Sequence, residues 1–309
     1  MPELPTGMLP PGTGVAPEPP VAQAGDLPAR RLGGVLSIAW QNKLAMAGLA
    51  TAIGLTLFSF AGPLLYHPNE TATNLILANL PPSAGHPLGT TPEGRDELGQ
   101  LMVGGQSTLE VGFAVAILGT AFGMIWGAIS GYIGGIVDAL LMRIVDALLA
   151  IPFLFFVVLL ASITTPSLTI IVLAITAASW QSTARLVRGE VLSLRTRDYV
   201  DASRHMGARH LHVVFRHLLP NVTGTVVVTA TLSMADAILI YAAVAFLGLS
   251  VPPPATSWGD LLTTGINNLF NGYWWQLWPP ACAIVLIVLA VNLLGDGMHD
   301  MVENRLDHR

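Results

Sequence analysis

The chain of 309 residues is 52% hydrophobic and only 11% charged, with a mean hydropathy of +0.62 and a formal net charge of −5. Soluble domains carry about 25% charged residues, so this composition excludes a disordered chain, a basic nucleic-acid binder and an ordinary soluble enzyme. The single cysteine, Cys282, permits neither an internal disulfide nor a multi-cysteine metal centre. The sole lysine, Lys43, follows Gln41-Asn42 and lacks the Gly-Lys-Ser/Thr context of a phosphate-binding loop. What is left is an integral membrane protein.

In chain order, residues 1–29 come first and hold eight prolines. Proline removes backbone donors and resists helix interiors, so this stretch reads as a disordered tail, and it lacks the layout of a secretory signal. An apolar helix of about 20 residues crosses roughly 30 Å of hydrocarbon. Six segments qualify: 44–65, 111–130, 144–163, 167–184, 224–249 and 277–294. The fourth closes on Ser179-Trp180-Gln181-Ser182-Thr183, yet the basic stretch after it must return to a charged surface, which favours a full crossing over a hairpin. The expected fold class is an all-α membrane protein of six transmembrane helices. With six crossings, thirteen of the fourteen basic residues fall on one side and only Arg95 on the other, so both termini are expected in the cytoplasm.

In the second span, Gly119, Gly123, Gly127, Gly131 and Gly135 recur every four residues. That spacing leaves one helix face without side chains, where another backbone can approach closely. The neighbour can belong to this chain or to a partner, and the last members, with Gly134, read as a cytoplasmic turn. Pro152 inside the third span predicts a bend. Arg143 and Asp146, three residues apart, suggest a local ion pair. Asp236 lies mid-way along the fifth span, where an unpaired carboxylate costs several kcal/mol and must face a partner or water. It reads either as a path-lining group or as one end of an interhelical hydrogen bond. Trp274, Trp275 and Trp278 form an aromatic belt where the sixth span begins.

Residues 184–222 form a long, basic, amphipathic segment between the fourth and fifth spans. A short helix is expected from Asp198, which can cap it, with Tyr199, Ala202, His205 and Met206 on a mixed face. Gly207 then permits a sharp turn, and a second piece, Leu211–Leu219, leads into Pro220-Asn221. Held between two spans, such a helix reads as a protein-docking element rather than a lipid anchor. His205, His210, His212 and His217 read as a solvated loop and not as a metal site. His210 and His212 point apart, and five arginines between 195 and 216 repel a cation.

Asp201-Ala202-Ser203, then Gly207, then His217-Leu218-Leu219-Pro220 resembles the Glu-Ala-Ala loop of ABC importer permeases. From about Trp40 to Leu306 the chain is similar to the second membrane subunit of the dipeptide/oligopeptide/nickel branch. Gly94-Arg95-Asp96, Leu141-Met142-Arg143, Arg216 to Asn221, Ser257-Trp258-Gly259 and Asn292 to Gly297 occur in the order of that family. The resemblance implies a type I importer permease fold with a cytoplasmic coupling helix. It divides the chain into the tail, a first helix with external loop (30–104) and a permease core (105–309) with the coupling loop at about 188–221. Coupling would fall to Tyr199, Asp201, Ala202, Ser203, Met206 and Gly207. Asp201 stands where the family has Glu, and Ser203 where it has Ala.

The same resemblance implies a bacterial plasma-membrane subunit that is not itself an enzyme and holds no cofactor, with ATP and Mg bound by two cytoplasmic ATPase partners. A homologous second permease and an extracytoplasmic binding protein complete the complex, with di- or oligopeptides as cargo. Nickel chelates, glutathione and other small solutes stay open. So do two other classes, an ion-coupled secondary transporter using Asp236 and a purely structural scaffold. Path candidates are Asp236 and Tyr241, the latter at the family's usual acidic position. The outer loops, Pro81 to Ser107 and Pro252 to Trp275, are expected beneath the binding protein, with Arg95-Asp96 as an ion pair. Gln106, Pro252 and Thr256 depart from the family pattern there.

Overall fold

A computed structural model describes residues 43–66, 72–163 and 167–307, apart from the side chains of 161, 201, 204, 210, 211 and 301–307. The proline-rich stretch 1–29 lies outside the described residues. Helices α1 (Lys43–Leu65), α2 (Glu97–Ile133), α3 (Gly135–Leu149), α4 (Phe153–Ser162) and α5 (Leu168–Leu194) come first. They are followed by α6 (Asp198–His205), α7 (His210–Val213), α8 (Leu219–Phe246), α9 (Trp258–Leu269) and α10 (Trp278–Asp307). Five of the helical stretches are each long and apolar enough to cross a membrane, and α3 with α4 makes a sixth if counted as one bent span.

The third span departs most from expectation. It is not one helix over 144–163 but two, bent by 85° at Ala150–Pro152. Pro152 has no N–H to continue the ladder and its ring obstructs the preceding turn, so α3 ends at Leu149 and α4 restarts at Phe153. The second span is also longer than its apolar core: α2 starts at Glu97, capped by the Asp96 carboxylate on the Gly99 N–H. Its 37 residues span about 55 Å, so the outer turns rise beyond a 30 Å hydrocarbon layer.

Helix α2 is the axis of the molecule. Its glycine face lies against α5 of the same chain, which answers the question the spacing left open. A Cβ at Gly123 would stand 2.6 Å from the Trp180 carbonyl oxygen, and one at Gly131 would stand 2.9 Å from that of Arg188. At Gly127 it would overlap the Ala184 carbonyl. Gly131 thus belongs to the packed face, while Gly134 and Gly135, with φ of +70° and +58°, make the turn into α3. Around the axis, Leu109, Ile238, Trp258 and Ile287 join α2, α8, α9 and α10 in one apolar cluster. Val115, Val157, Ile171, Ile175 and Tyr241 join α2, α4, α5 and α8 in a second. Leu57, Phe155 and Leu289 are more than half exposed on the outside of the bundle, the pattern of a surface made for lipid.

Two charged contacts hold α3 to α5. Arg188 makes a forked bond to Asp138 (2.5 and 2.6 Å), which also accepts from Ser130. Asp146 pairs with Arg185 of α5, not with Arg143 three positions earlier on its own helix. The Arg195 guanidinium donates to the Gly131 carbonyl and finishes α2.

Candidate functional site

The cytoplasmic segment folds into α6 and α7 and then runs without a stop into α8. Asp198 is the first residue of α6, and the Arg197 carbonyl accepts the Val200 N–H at the turn into it. Val200 and Ser203 turn inward, Val200 joining Tyr132, Val191 and Val214 in the inner cluster. Tyr199, Ala202, His205 and Met206 line the outer side, with Met206 82% exposed. Gly207 has φ of +83° and open space around it, so the chain reverses there without obstruction. Of the coupling candidates, Tyr199, Ala202, Met206 and Gly207 therefore share one free surface while Ser203 anchors it from behind. The Asp201 side chain lies outside the described residues. The second piece carries a π turn, Val214–Leu218, in which the Leu219 N–H reaches Val214 O. The wider turn takes up the missing donor and the ring of Pro220, letting the helix enter the membrane unbroken. The His217 ring stacks near Tyr199 and His212, at 6.2 and 6.1 Å between centroids.

The two path candidates separate. Asp236 is exposed on a stripe of α8 with Leu232, Leu239 and Phe246, and Thr225 and Thr229 continue that stripe toward the inner end. Tyr241 has no accessible surface. Its ring fills the cluster between α4, α5 and α8, because position 241 lies on the buried face with Ala237 and Val244. Its hydroxyl lies close to Ser107, Ser250, Ser257 and Asp260. Asp260 accepts from Ser250 (2.6 Å) and Ser257 (2.7 Å), and burial raises its carboxyl above the ordinary value while those bonds pull it back.

On the outer side, Asp96 does not pair with Arg95. Its oxygens are taken by the Gly99 cap, by His86 Nδ1 at 2.8 Å and by the Tyr66 hydroxyl at 3.2 Å. Burial, then the nearby Asp96 carboxylate, push the Tyr66 phenol up to about 12, which keeps it a donor. The departures from the family pattern have local partners: Gln106 donates to Ser59 O, and Thr256 O accepts from Ser107. The Arg188–Asp138 clamp was not anticipated from the residues. The i, i+3 spacing of Arg185 and Arg188 on one helix face was its only signal.

Residues 119–308 match the family model described as "Binding-protein-dependent transport system inner membrane component", and residues 37–82 match the N-terminal transmembrane domain of oligopeptide transport permease C. The chain belongs to this permease family. The oligopeptide transport system permease protein OppC of Bacillus subtilis is 37% identical over 297 residues, covering 94% of this chain and 96% of that protein. The dipeptide transport system permease protein DppC of the same organism is 38% identical over 266 residues (86% and 83%). A putative peptide permease protein of Brucella suis is 40% identical over 270 residues (86% and 89%). The permease is thus a multi-pass membrane protein of a binding-protein-dependent transport family, and its helical architecture, with five long apolar helices and one bent pair among the described residues, agrees with that membership.

Proposed function

We propose that this permease is a membrane subunit of an ATP-driven importer of di- and oligopeptides in the bacterial plasma membrane, with both termini in the cytoplasm. The reading that pairs it with a homologous second permease, two cytoplasmic ATPases and an extracytoplasmic binding protein rests on family membership and on the peptide-permease names of its relatives. ATP and Mg belong to the ATPases, and this chain supplies no catalysis of its own.

The observation that carries the coupling mechanism is the free face of α6. Tyr199, Ala202 and Met206 stand together on a short helix backed by Val200 and Ser203 and ended by Gly207. A partly apolar surface of that size on a charged cytoplasmic segment suits a groove in an ATPase. Asp201 joins this surface in the proposal as the acidic member of the loop. When the ATPases close, α6 moves as a unit, and the unbroken run from α7 into α8 carries that motion into the membrane. In the membrane, Asp236 lines the path. A carboxylate exposed on a mid-membrane helix face is costly against lipid, so the stripe suits water or a partner, where it attracts the amino end of a peptide. Tyr241 supports that stretch of α8 from the inside.

The test is uptake of labelled peptide into proteoliposomes holding the full complex, with wild type beside Gly207→Pro and Asp201→Arg. ATP-dependent uptake that both variants lose together with ATPase co-purification is the expected result. Uptake untouched by either variant removes α6 as the coupling element. Uptake driven by an ion gradient without the ATPases makes the chain a secondary transporter instead.

A further inference from the structure

The bend in the third span opens a cavity of about 160 Å³. Its floor is formed by the buried Ala178 and Gln181 of α5 and its walls by Phe153 and Phe156 of α4. At the mouth, Leu149 and Ile151 are 41% and 43% exposed, so the cavity is open rather than sealed in the core. Gln181 donates its amide to Ala177 O and its Oε1 makes no hydrogen bond among the described residues. An apolar cavity of about 150 Å³ accommodates benzene, so this one has room for a phenyl ring or an isobutyl group.

The break also leaves peptide groups open. The first backbone bond back from α4 is Phe156 N–H to Pro152 O, so the amides of Phe153, Leu154 and Phe155 donate to no carbonyl among the described residues. On the other side, the carbonyls of Leu149 and Ala150 accept no backbone bond there. At membrane depth each open group costs several kcal/mol unless something polar meets it. The depth follows from packing. Glu190 of α5 meets Thr225 of α8 at the inner end, and Ile171 and Val244 share a cluster at the outer end. Ala178 shares that cluster with Ala237, the residue next to Asp236. The cavity floor and the exposed carboxylate therefore lie at the same level.

Resting on the peptide-permease reading, we propose that this cavity is a side-chain pocket on the translocation path, holding one apolar side chain of a passing peptide while the open groups of the break pair with the peptide's main chain. A lipid tail fills apolar volume but offers nothing to the open amides, the open carbonyls or the Gln181 Oε1. A peptide offers both an apolar side chain and main-chain donors and acceptors. Because the polar contacts are main-chain contacts, such a pocket accepts many sequences and grades them by side-chain size.

The experiment uses the complete complex in proteoliposomes and reads the ratio of Ala-Phe-Ala to Ala-Gly-Ala uptake, with one binding protein throughout so that its own preference cancels. Ala178→Leu fills the floor and lowers the ratio roughly tenfold while Ala-Gly-Ala uptake persists. Phe156→Ala removes a wall and shifts preference the other way, so that Ala-Trp-Ala gains relative to Ala-Gly-Ala. Ratios unchanged in assembled complexes of both variants overturn the pocket and leave the cavity to lipid or to a partner's side chain. Equal losses of all tripeptides in both variants overturn it too, as a purely structural effect. A wild-type complex that hydrolyses ATP yet imports none of these tripeptides overturns the peptide reading itself and the pocket with it.

Discussion

Alanine substitutions along the glycine face of α2 should be graded by what each new methyl meets. At Gly119 a Cβ meets only the Ser179 hydroxyl, at 3.0 Å, and a rotation of that side chain relieves it. At Gly123 it meets the Trp180 carbonyl oxygen at 2.6 Å and Thr183 Cβ at 2.7 Å, short of ordinary contact by about 0.8 Å. At Gly127 the overlap with the Ala184 carbonyl is greater still, and main chain cannot swing aside. Parting two helices by 0.5–1 Å forfeits about a quarter to a half of each dispersion well along the seam, and overpacking of this kind costs about 1–3 kcal/mol. Helix propensity works the other way, favouring alanine by about 1 kcal/mol at every position alike. Differences between sites therefore isolate packing. We expect Gly119→Ala to be neutral or mildly stabilising. Gly123→Ala should cost about 1 kcal/mol net and Gly127→Ala about 2 kcal/mol. Thermal unfolding of the detergent-purified complex, followed by Trp fluorescence and by monodispersity, measures the order. Equal midpoints for Gly119→Ala and Gly127→Ala, or stabilisation by all three, would refute close α2–α5 contact.

Three further outcomes are expected. Arg188→Ala leaves Asp138 buried and unpaired and should destabilise the complex by about 3 kcal/mol, whereas Arg185→Ala, from a pair about half exposed at both ends, should cost no more than about 1 kcal/mol; the same thermal scan separates them. Asp260 has a raised folded-state pKa, so its contribution to stability is full below its unfolded value of 3.8 and is lost as pH rises through the folded value. Asp260→Asn should consequently gain on wild type as pH climbs from about 4 toward neutrality, and parallel melting curves at every pH would contradict this. Gly207→Ala, with φ of +83° and no steric neighbour, should suffer only backbone strain of about 1–2 kcal/mol, lowering peptide-stimulated ATPase activity more than Gly207→Asn does, with complex assembly retained.

Much of this architecture was legible before any coordinates. Apolar runs of about 20 residues located the crossings because hydrocarbon admits little else, and the four-residue glycine period marked the close helix contact. The residues that set off the cytoplasmic helix, Asp198 at its start and Gly207 past its end, were legible because turns and helix starts have local chemistry. Partners were harder to read. Asp146 sits a helical turn from Arg143, the obvious local choice, yet pairs with Arg185 on another helix. Arg95 and Asp96 are adjacent, yet Asp96 is occupied by a cap, His86 and Tyr66. Tyr241 was expected on the path with Asp236, but its face of α8 is the buried one. Each of these depends on which helix lies alongside, and a single sequence without its packing does not carry that information.

The third span joins the local and the non-local in one place. Pro152 announces a bend, but proline alone usually yields a kink within a continuing helix, not an 85° corner. Here both ends of α3 are loosened: Gly134 and Gly135, at positive φ, free its start, and Pro152 frees its end. Between them α3 buries little of its own apolar surface, Val145 being its one fully buried side chain. Its position is held by charge, through Asp138 and Asp146 on the α5 arginines, beside a small cluster of Val145, Met142 and Leu148 against Trp126 and Trp180. A helix with weak hydrophobic attachment follows its ion pairs, so α3 turns toward α5 and the corner opens. The cavity at Gln181 is the space that turn leaves. Breaking the Arg188 clamp should therefore change the shape of the cavity as well as the stability of the chain, and the tripeptide uptake ratio should move in Arg188→Lys even where the complex still assembles.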